Sequence, residues 1–232
     1  MKFESLASSS AGNAYIVSDQ ETRILLECGL SFKKLQKLAG FNLGDFKACL
    51  VTHEHKDHAK SVPELISRGM DVYMSPGTAE ALETTSAQLI EHLEQFNVGS
   101  FDIVPFTTFH DAKEPLGYLI KSRIDGDILA FATDTVNLRY KFPDLNILAI
   151  EANYDKAILE RCVKMPEKVR HRITNAHMEI DTLCDYLRTL DLSKCREIHL
   201  LHLSDATSHE DEFLYKVTRA VPRGIKVKAC GK

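Results

Sequence analysis

The sequence predicts a mixed fold of strands and helices, most simply two β-sheets packed face to face with helices outside them. Three observations point there. Short β-like runs fill the first half and the centre of the chain, helical spacing appears between and after them, and no stretch approaches the roughly 18 apolar residues of a membrane span. The 232 residues are 44% hydrophobic and 27% charged, which is the balance of a globular chain with a sizeable core. No internal repeat, low-complexity tract or linker interrupts it, so residues 1–232 are read as a single domain.

The β-like runs are 3–7, 14–17, 23–27, 48–52, 72–74, 102–107, 117–121, 128–132, 145–151, 198–203 and 226–229. Residues 59–67 read as a helix, with Pro63 tolerable only in its first turn. Ile180, Leu183, Leu187 and Leu190 follow one helical face over three turns. Ser208 and Asp211 resemble a capping box ahead of Phe213, Leu214, Val217 and Val221 on a last helix. Periodicity alone supports α/β and α+β equally.

A net charge of −4 argues against coating nucleic acid through bulk charge, although a local basic groove stays open. Six cysteines without a CxxC pattern point to reduced thiols and a cytoplasmic setting. Glu4 stands where a signal peptide would carry its apolar segment, so export is not expected. Nothing in the sequence fixes the oligomeric state, and a homo-oligomer is compatible with it.

The informative segment is CLVTHEHKDH, in which an apolar strand delivers His53, His55, Asp57 and His58 onto the loop at its end. Imidazoles with a carboxylate suit divalent zinc, manganese or iron. His53 and His55, two apart in an extended segment, point the same way and can hold one metal. A turn at Asp57 and His58 can direct both to a second. The alternative is a polar loop whose histidines cap a helix, but H-x-H-x-D-H arises by chance in only about one chain in a thousand of this length and composition. Three later residues stand at strand ends: His110, Asp134 and His202. A strand-end histidine by itself is more often solvated or satisfied in the core. Together they complete seven donors, enough for two ions with Asp134 as the bridge, an arrangement used for phosphoester hydrolysis.

This series resembles the ligand set of the metallo-β-lactamase fold. The likeness extends over FESLASSSAGNAYIV, ILLECGLSFKKL, GYLI, ATDT, IEANYD and LLHLS, and is greatest to the YycJ/WalJ-type nuclease branch, with tRNase Z more distant. It implies an αββα sandwich of two mixed β-sheets, with His53, His55 and His110 on one metal, Asp57, His58 and His202 on the other, and Asp134 between. Two divalent cations, zinc or manganese, would then share a hydroxide that attacks phosphorus.

The fold itself hosts lactamases, thioesterases, lactonases and phosphodiesterases, so it does not decide the reaction. The tRNase Z resemblance adds His177, in NAHMEI, and Glu151, in IEANYD. A histidine beside two metals can protonate a departing oxygen, and a carboxylate on its other nitrogen fixes its tautomer. The competing reading makes His177 a solvated residue at a helix start and Glu151 a surface carboxylate. Departures from the family pattern are Glu27 for the usual Asp in D-x-G, Ser61 for a Gly, and Met178–Glu179 where a hydroxyl residue would follow His177.

For the substrate, the basic run KMPEKVRHR, with Arg170 and Arg172, is either a solvated face or a track for a nucleic-acid backbone. Ser10 and Asn13 lie in a hydroxyl-rich turn that can approach phosphate or simply close a hairpin. The leading expectation is a 5′–3′ exonuclease on DNA. A cyclic-nucleotide phosphodiesterase is the alternative, and an ester, thioester or lactam hydrolase comes third.

Overall fold

The computed structural model describes residues 1–231. Its strands form two mixed β-sheets with flanking helices, the α+β class that the resemblance implies. The chain divides into two compact units, Met1–Thr107 with Ala112–Ile128, and Thr108–Asp111 with Leu129–Gly231.

In the first unit, β1 (Lys2–Ala7), β2 (Ala14–Ser18), β3 (Arg23–Leu26), β4 (Ala48–Leu50), β5 (Asp71–Met74) and β6 (Gln88–Leu89) lie side by side in chain order. Two antiparallel pairings open this sheet, and three parallel ones follow. The parallel strands need crossovers, supplied by α1 (Phe32–Leu38), α2 (Lys56–Ala59), α3 (Val62–Ser67) and α4 (Pro76–Ala81). Leu25, Leu35, Cys49, Val51, Leu65 and Val72 join in one buried cluster. All of β4 is buried, which explains its unbroken apolar run. β7 (Phe96–Val98), β8 (Phe101–Thr107) and β9 (Leu116–Ser122) pair as an antiparallel meander. Asp19 pins this unit at one end: Ser100 and Ser122 hydroxyls donate to its Oδ2 at 2.6 and 2.7 Å, and the Glu21 and Thr22 amides to its Oδ1.

In the second unit β10 (Ile128–Ala132, entering the unit at Leu129), β11 (Ile147–Glu151), β12 (Glu197–Leu201) and β13 (Lys226–Ala229) run parallel in chain order. The helices α5 (Lys156–Arg161), α6 (Glu167–Ala176) and α7 (Ile180–Arg188) cross from β11 to β12, and α8 (Glu210–Ala220) crosses to β13. All of β11 is buried.

Several expectations need correction. The helix expected over 59–67 is two helices, broken where the Ser61 amide donates to the Cys28 carbonyl (3.0 Å) and the Ser61 hydroxyl to that of Leu30 (2.6 Å). Pro63 opens the second of them, where its missing amide costs nothing. No Ser208–Asp211 capping box forms, because α8 starts at Glu210 and the Ser208 hydroxyl donates instead to the Ser204 carbonyl at 2.6 Å. The strand over 23–27 stops at Leu26, and that over 198–203 at Leu201, because Glu27 (φ 66°) and His202 (φ 54°) turn left-handed. The basic run 164–172 ends inside α6, a mostly exposed helix whose apolar positions reduce to Val169, Ile173 and Ala176. All six cysteines are thiols. Among the described residues no helix is long and apolar enough to cross a membrane.

Candidate metal centre

In the first unit, the loop after β4 carries four of the expected donors within six residues. His53 is buried, its Nδ1 2.8 Å from the Thr52 hydroxyl and its Nε2 3.1 Å from Nδ1 of His55. The His53 and His58 rings lie 4.2 Å apart between centroids, and Asp57 Oδ2 is 3.4 Å from His58 Nε2. The loop is held by main-chain bonds. The Asn13 amide donates to the Asp57 carbonyl (2.8 Å), Cys28 to that of His58 (2.8 Å), and Gly29 to that of Asn13 (2.9 Å). Gly29 is obligatory, since a Cβ there would overlap the Asp57 carbonyl.

Glu27 sits in a left-handed turn. From there its buried carboxylate accepts the Thr52 amide (3.2 Å) and reaches to 3.4 Å from His58 Nδ1. Asn13, expected at the substrate, is fully buried. Its side-chain amide donates to the Ser9 and Asp57 carbonyls, both at 3.2 Å, and lies 3.1 Å from His58 Nε2. Ser10 is exposed in the turn.

In the second unit the donors come from separate stretches, yet Asp134, Glu151, His177 and His202 each place one ligand atom within 4.8 Å of the others. Asp134 (φ 47°) divides its oxygens: Oδ1 lies 3.1 Å from His202 Nδ1, and Oδ2 3.5 Å from His110 Nε2. Glu151 is the hub. Its Oε1 accepts from His177 Nδ1 at 2.7 Å and from His202 Nδ1 at 3.1 Å, while its Oε2 accepts the amides of Thr135 (2.8 Å) and Met178 (3.1 Å). Both imidazoles therefore carry their proton on Nδ1 and present Nε2 as the reactive face. His110 follows the same rule, with Nδ1 2.8 Å from the Ala176 carbonyl, which only accepts. These carboxylate and imidazole donors, with tautomers already set, fit divalent ions of the zinc and manganese kind.

Burial by itself would raise the Glu151 carboxyl, but the His177 and His202 imidazoles hold it below the usual range. Burial opposes protonation of His177, yet the Glu151 and Asp134 carboxylates raise its pKa above the ordinary value.

The remaining expected residues are placed as follows. The Arg170 guanidinium donates to the Met165 and Cys162 carbonyls at 3.1 and 2.5 Å. Arg172 pairs with Asp111 at 2.9 Å. Glu179 is the N-cap of α7, its carboxylate accepting the Asp181 and Thr182 amides, and this accounts for the acid after Met178. The sequence reading missed Asn153, whose buried side-chain amide donates to the His202 carbonyl at 2.8 Å. The one signal for it was its place two residues after Glu151. It also missed the Ala176 carbonyl, which no side-chain pattern reports.

Fold and donor set together define a metal-dependent hydrolase. Residues 22–202 match the model of the β-lactamase superfamily domain, and the chain belongs to that family. An exodeoxyribonuclease YycJ of Bacillus anthracis is 30% identical over 88% of this chain and 83% of its own length. The metallo-β-lactamase fold protein YhfI of Bacillus subtilis superposes with a TM-score of 0.73 at 14% identity, covering 99% of this chain and 97% of its own. The short form of human tRNase Z does so at 0.63 and 16% identity, covering 99% and 96%. At those identities the two structures show the fold alone.

Proposed function

We propose that this chain is a cytoplasmic phosphodiesterase dependent on two divalent ions, zinc or manganese, and specifically a 5′–3′ exonuclease on DNA. In this reading residues 1–232 act as one domain. His53, His55 and His110 hold one ion, Asp57, His58 and His202 the other, and Asp134 serves both. The bound ions would polarise the phosphoryl oxygens and acidify water enough for attack near neutral pH.

The observation that carries the reading is the Glu151–His177 pair, 2.7 Å apart beside Asp134, with the carboxylate fully buried and the imidazole partly exposed. Hydrolysis of an ester, thioester or lactam does not need it. With Nδ1–H anchored on Glu151, His177 can hold a proton at Nε2 and pass it to a departing alkoxide oxygen. Glu151 acts by keeping that ring in place. The relatedness to an exodeoxyribonuclease supports DNA as the polymer.

A cyclic-nucleotide substrate has one observation in its favour: Arg170 and Arg172 are already spent on carbonyls and on Asp111, which shortens the basic track on α6. The test is a panel of linear DNA labelled at either end, RNA, cyclic mononucleotides and a thioester, each with manganese and with zinc. Release of nucleotides from the 5′ end of DNA, abolished in Asp57→Ala, is the expected result. Preference for a cyclic mononucleotide or the thioester would overturn it.

A further inference from the structure

If α6 has little basic surface to spare, a polymer must be gripped elsewhere, and the first unit offers a place. A cavity of about 330 Å³ opens between α1 and α3, lined among others by Phe32, Phe41, Phe46, Arg68 and Met70. Two of its rings already carry a cation. The Arg68 guanidinium lies 4.4 Å from the Phe32 centroid, and that of Arg23 lies 4.6 Å from Phe46. Phe41 is different. It is 67% exposed and has no ring partner among the described residues.

Phe41 also sits in an unfavourable backbone conformation. After α1 the chain turns left-handed twice, at Gly40 (φ 68°) and at Phe41 itself (φ 61°), where the Phe41 amide closes the turn on the Gln36 carbonyl at 2.8 Å. Left-handed backbone suits glycine and is unfavourable for an aromatic residue. Asparagine would satisfy this turn more readily, and would cover no apolar surface by being there.

The helix that precedes the ring is basic. Lys33, Lys34 and Lys37 of α1 are exposed and form no ion pair among the described residues. Asp45, beside the cavity, is paired with Arg23 at 4.0 Å, and Glu64 is the single acidic residue of α3. Lys33 and Lys37 are one helical turn apart, about 6 Å along the axis at 1.5 Å per residue.

We propose that this aromatic and basic groove binds single-stranded nucleic acid, a base stacking on Phe41 while α1 lysines contact the phosphates. The chemistry selects this partner: an exposed ring next to a basic helix, with Arg68 in the cavity wall, joins a stacking face to cations as sequence-tolerant single-strand binders do. An acidic amphipathic helix, about 10 Å across, or a lipid surface would need a wider continuous apolar face than a cavity of about 330 Å³ offers. The proposal rests on the nuclease reading for the identity of the polymer, and it assigns to the groove binding alone.

The test is fluorescence anisotropy of the full chain with a labelled phosphorothioate oligo(dT), which resists cleavage, and with an abasic oligonucleotide of equal length. Phe41→Ala should weaken oligo(dT) binding about tenfold, Phe41→Trp should restore it, and neither should alter abasic binding. Replacing Lys33, Lys34 and Lys37 by Gln should weaken both probes and lower the slope of log affinity against log salt by about 2. Unchanged oligo(dT) affinity in Phe41→Ala, an equal loss on the abasic probe, or competition by polyglutamate as effective as by oligo(dT) would each overturn it. Binding through Phe41 without DNA cleavage would sink the nuclease reading and leave the groove standing. Cleavage by a Phe41→Ala protein with parental affinity would do the reverse.

Discussion

The two units carry their candidate donors in opposite ways. The first holds His53, His55, Asp57 and His58 in one loop, gripped by main-chain bonds from Asn13 and Cys28. The second draws His110, Asp134, His177 and His202 from stretches far apart in sequence, and Glu151 ties two of them together. A loop that is fixed by its backbone tolerates changes in neighbouring side chains but not in backbone space. A constellation fixed by one carboxylate tolerates the backbone and depends on that side chain.

The largest effect should come from removing the hub. In Glu151→Ala two imidazole N–H groups and the Thr135 and Met178 amides lose their acceptor in a buried site, at a cost of about 4 kcal/mol by urea denaturation. Glu151→Gln should recover part of that stability while turnover stays low, because an amide offers one acceptor oxygen where the carboxylate offers two, so its NH2 faces either the imidazole or the main-chain N–H groups. Full turnover in Glu151→Gln would break the contrast between the units.

Gly29→Ala is the counterpart for the loop. A methyl against the Asp57 carbonyl forces the backbone apart, and about 3 kcal/mol of stability should go with it. Metal content by elemental analysis should drop in the same variant. A protein of parental stability would show that the loop yields more easily than its bonds imply.

Asp155 sharpens the comparison away from the metal donors. It caps α5 through the Ala157 and Ile158 amides and accepts from Lys216 at 2.9 Å. Burial would raise its carboxyl, but Lys216 and the helix amides hold it below the ordinary value near 4. A depressed carboxylate contributes stability above that unfolded value and loses it as pH falls through the folded one. Asp155→Asn should therefore cost about 1 kcal/mol at pH 7, and the gap from the parent should narrow as pH falls below the ordinary carboxyl value near 4.

The smallest effect belongs to Arg172→Ala. Its pair with Asp111 is on the surface, with the side chains 58% and 44% exposed, so stability should change by about 0.5 kcal/mol or less. A loss of several kcal/mol would mean that Arg172 anchors the segment carrying His110, which its exposure argues against.

What could be read from the sequence follows the same division. The 53–58 motif is contiguous, so its spacing was visible without a fold. Strand-end His110, Asp134 and His202 gained meaning only as members of a series. The exposed helix α6, with Val169, Ile173 and Ala176 as its few apolar positions, and the short edge strands β6 and β7 left too thin an apolar rhythm to detect. Asn13 and Arg170 read as substrate candidates in the sequence, and that each also bonds a backbone carbonyl is something a polar residue in a turn or helix does not announce.

By itself, the sequence determined the chemistry on offer: which imidazoles and carboxylates exist, and that apolar strands deliver them to strand ends. Tertiary structure alone decided how each is used. The Ala176 carbonyl sets the tautomer of His110, two left-handed turns aim Glu27 and His202, and Glu151 serves two rings at once. The reason is physical. Side-chain identity is local, whereas a tautomer, a shifted pKa or an obligatory glycine is fixed by atoms that chain folding brings within about 3 Å.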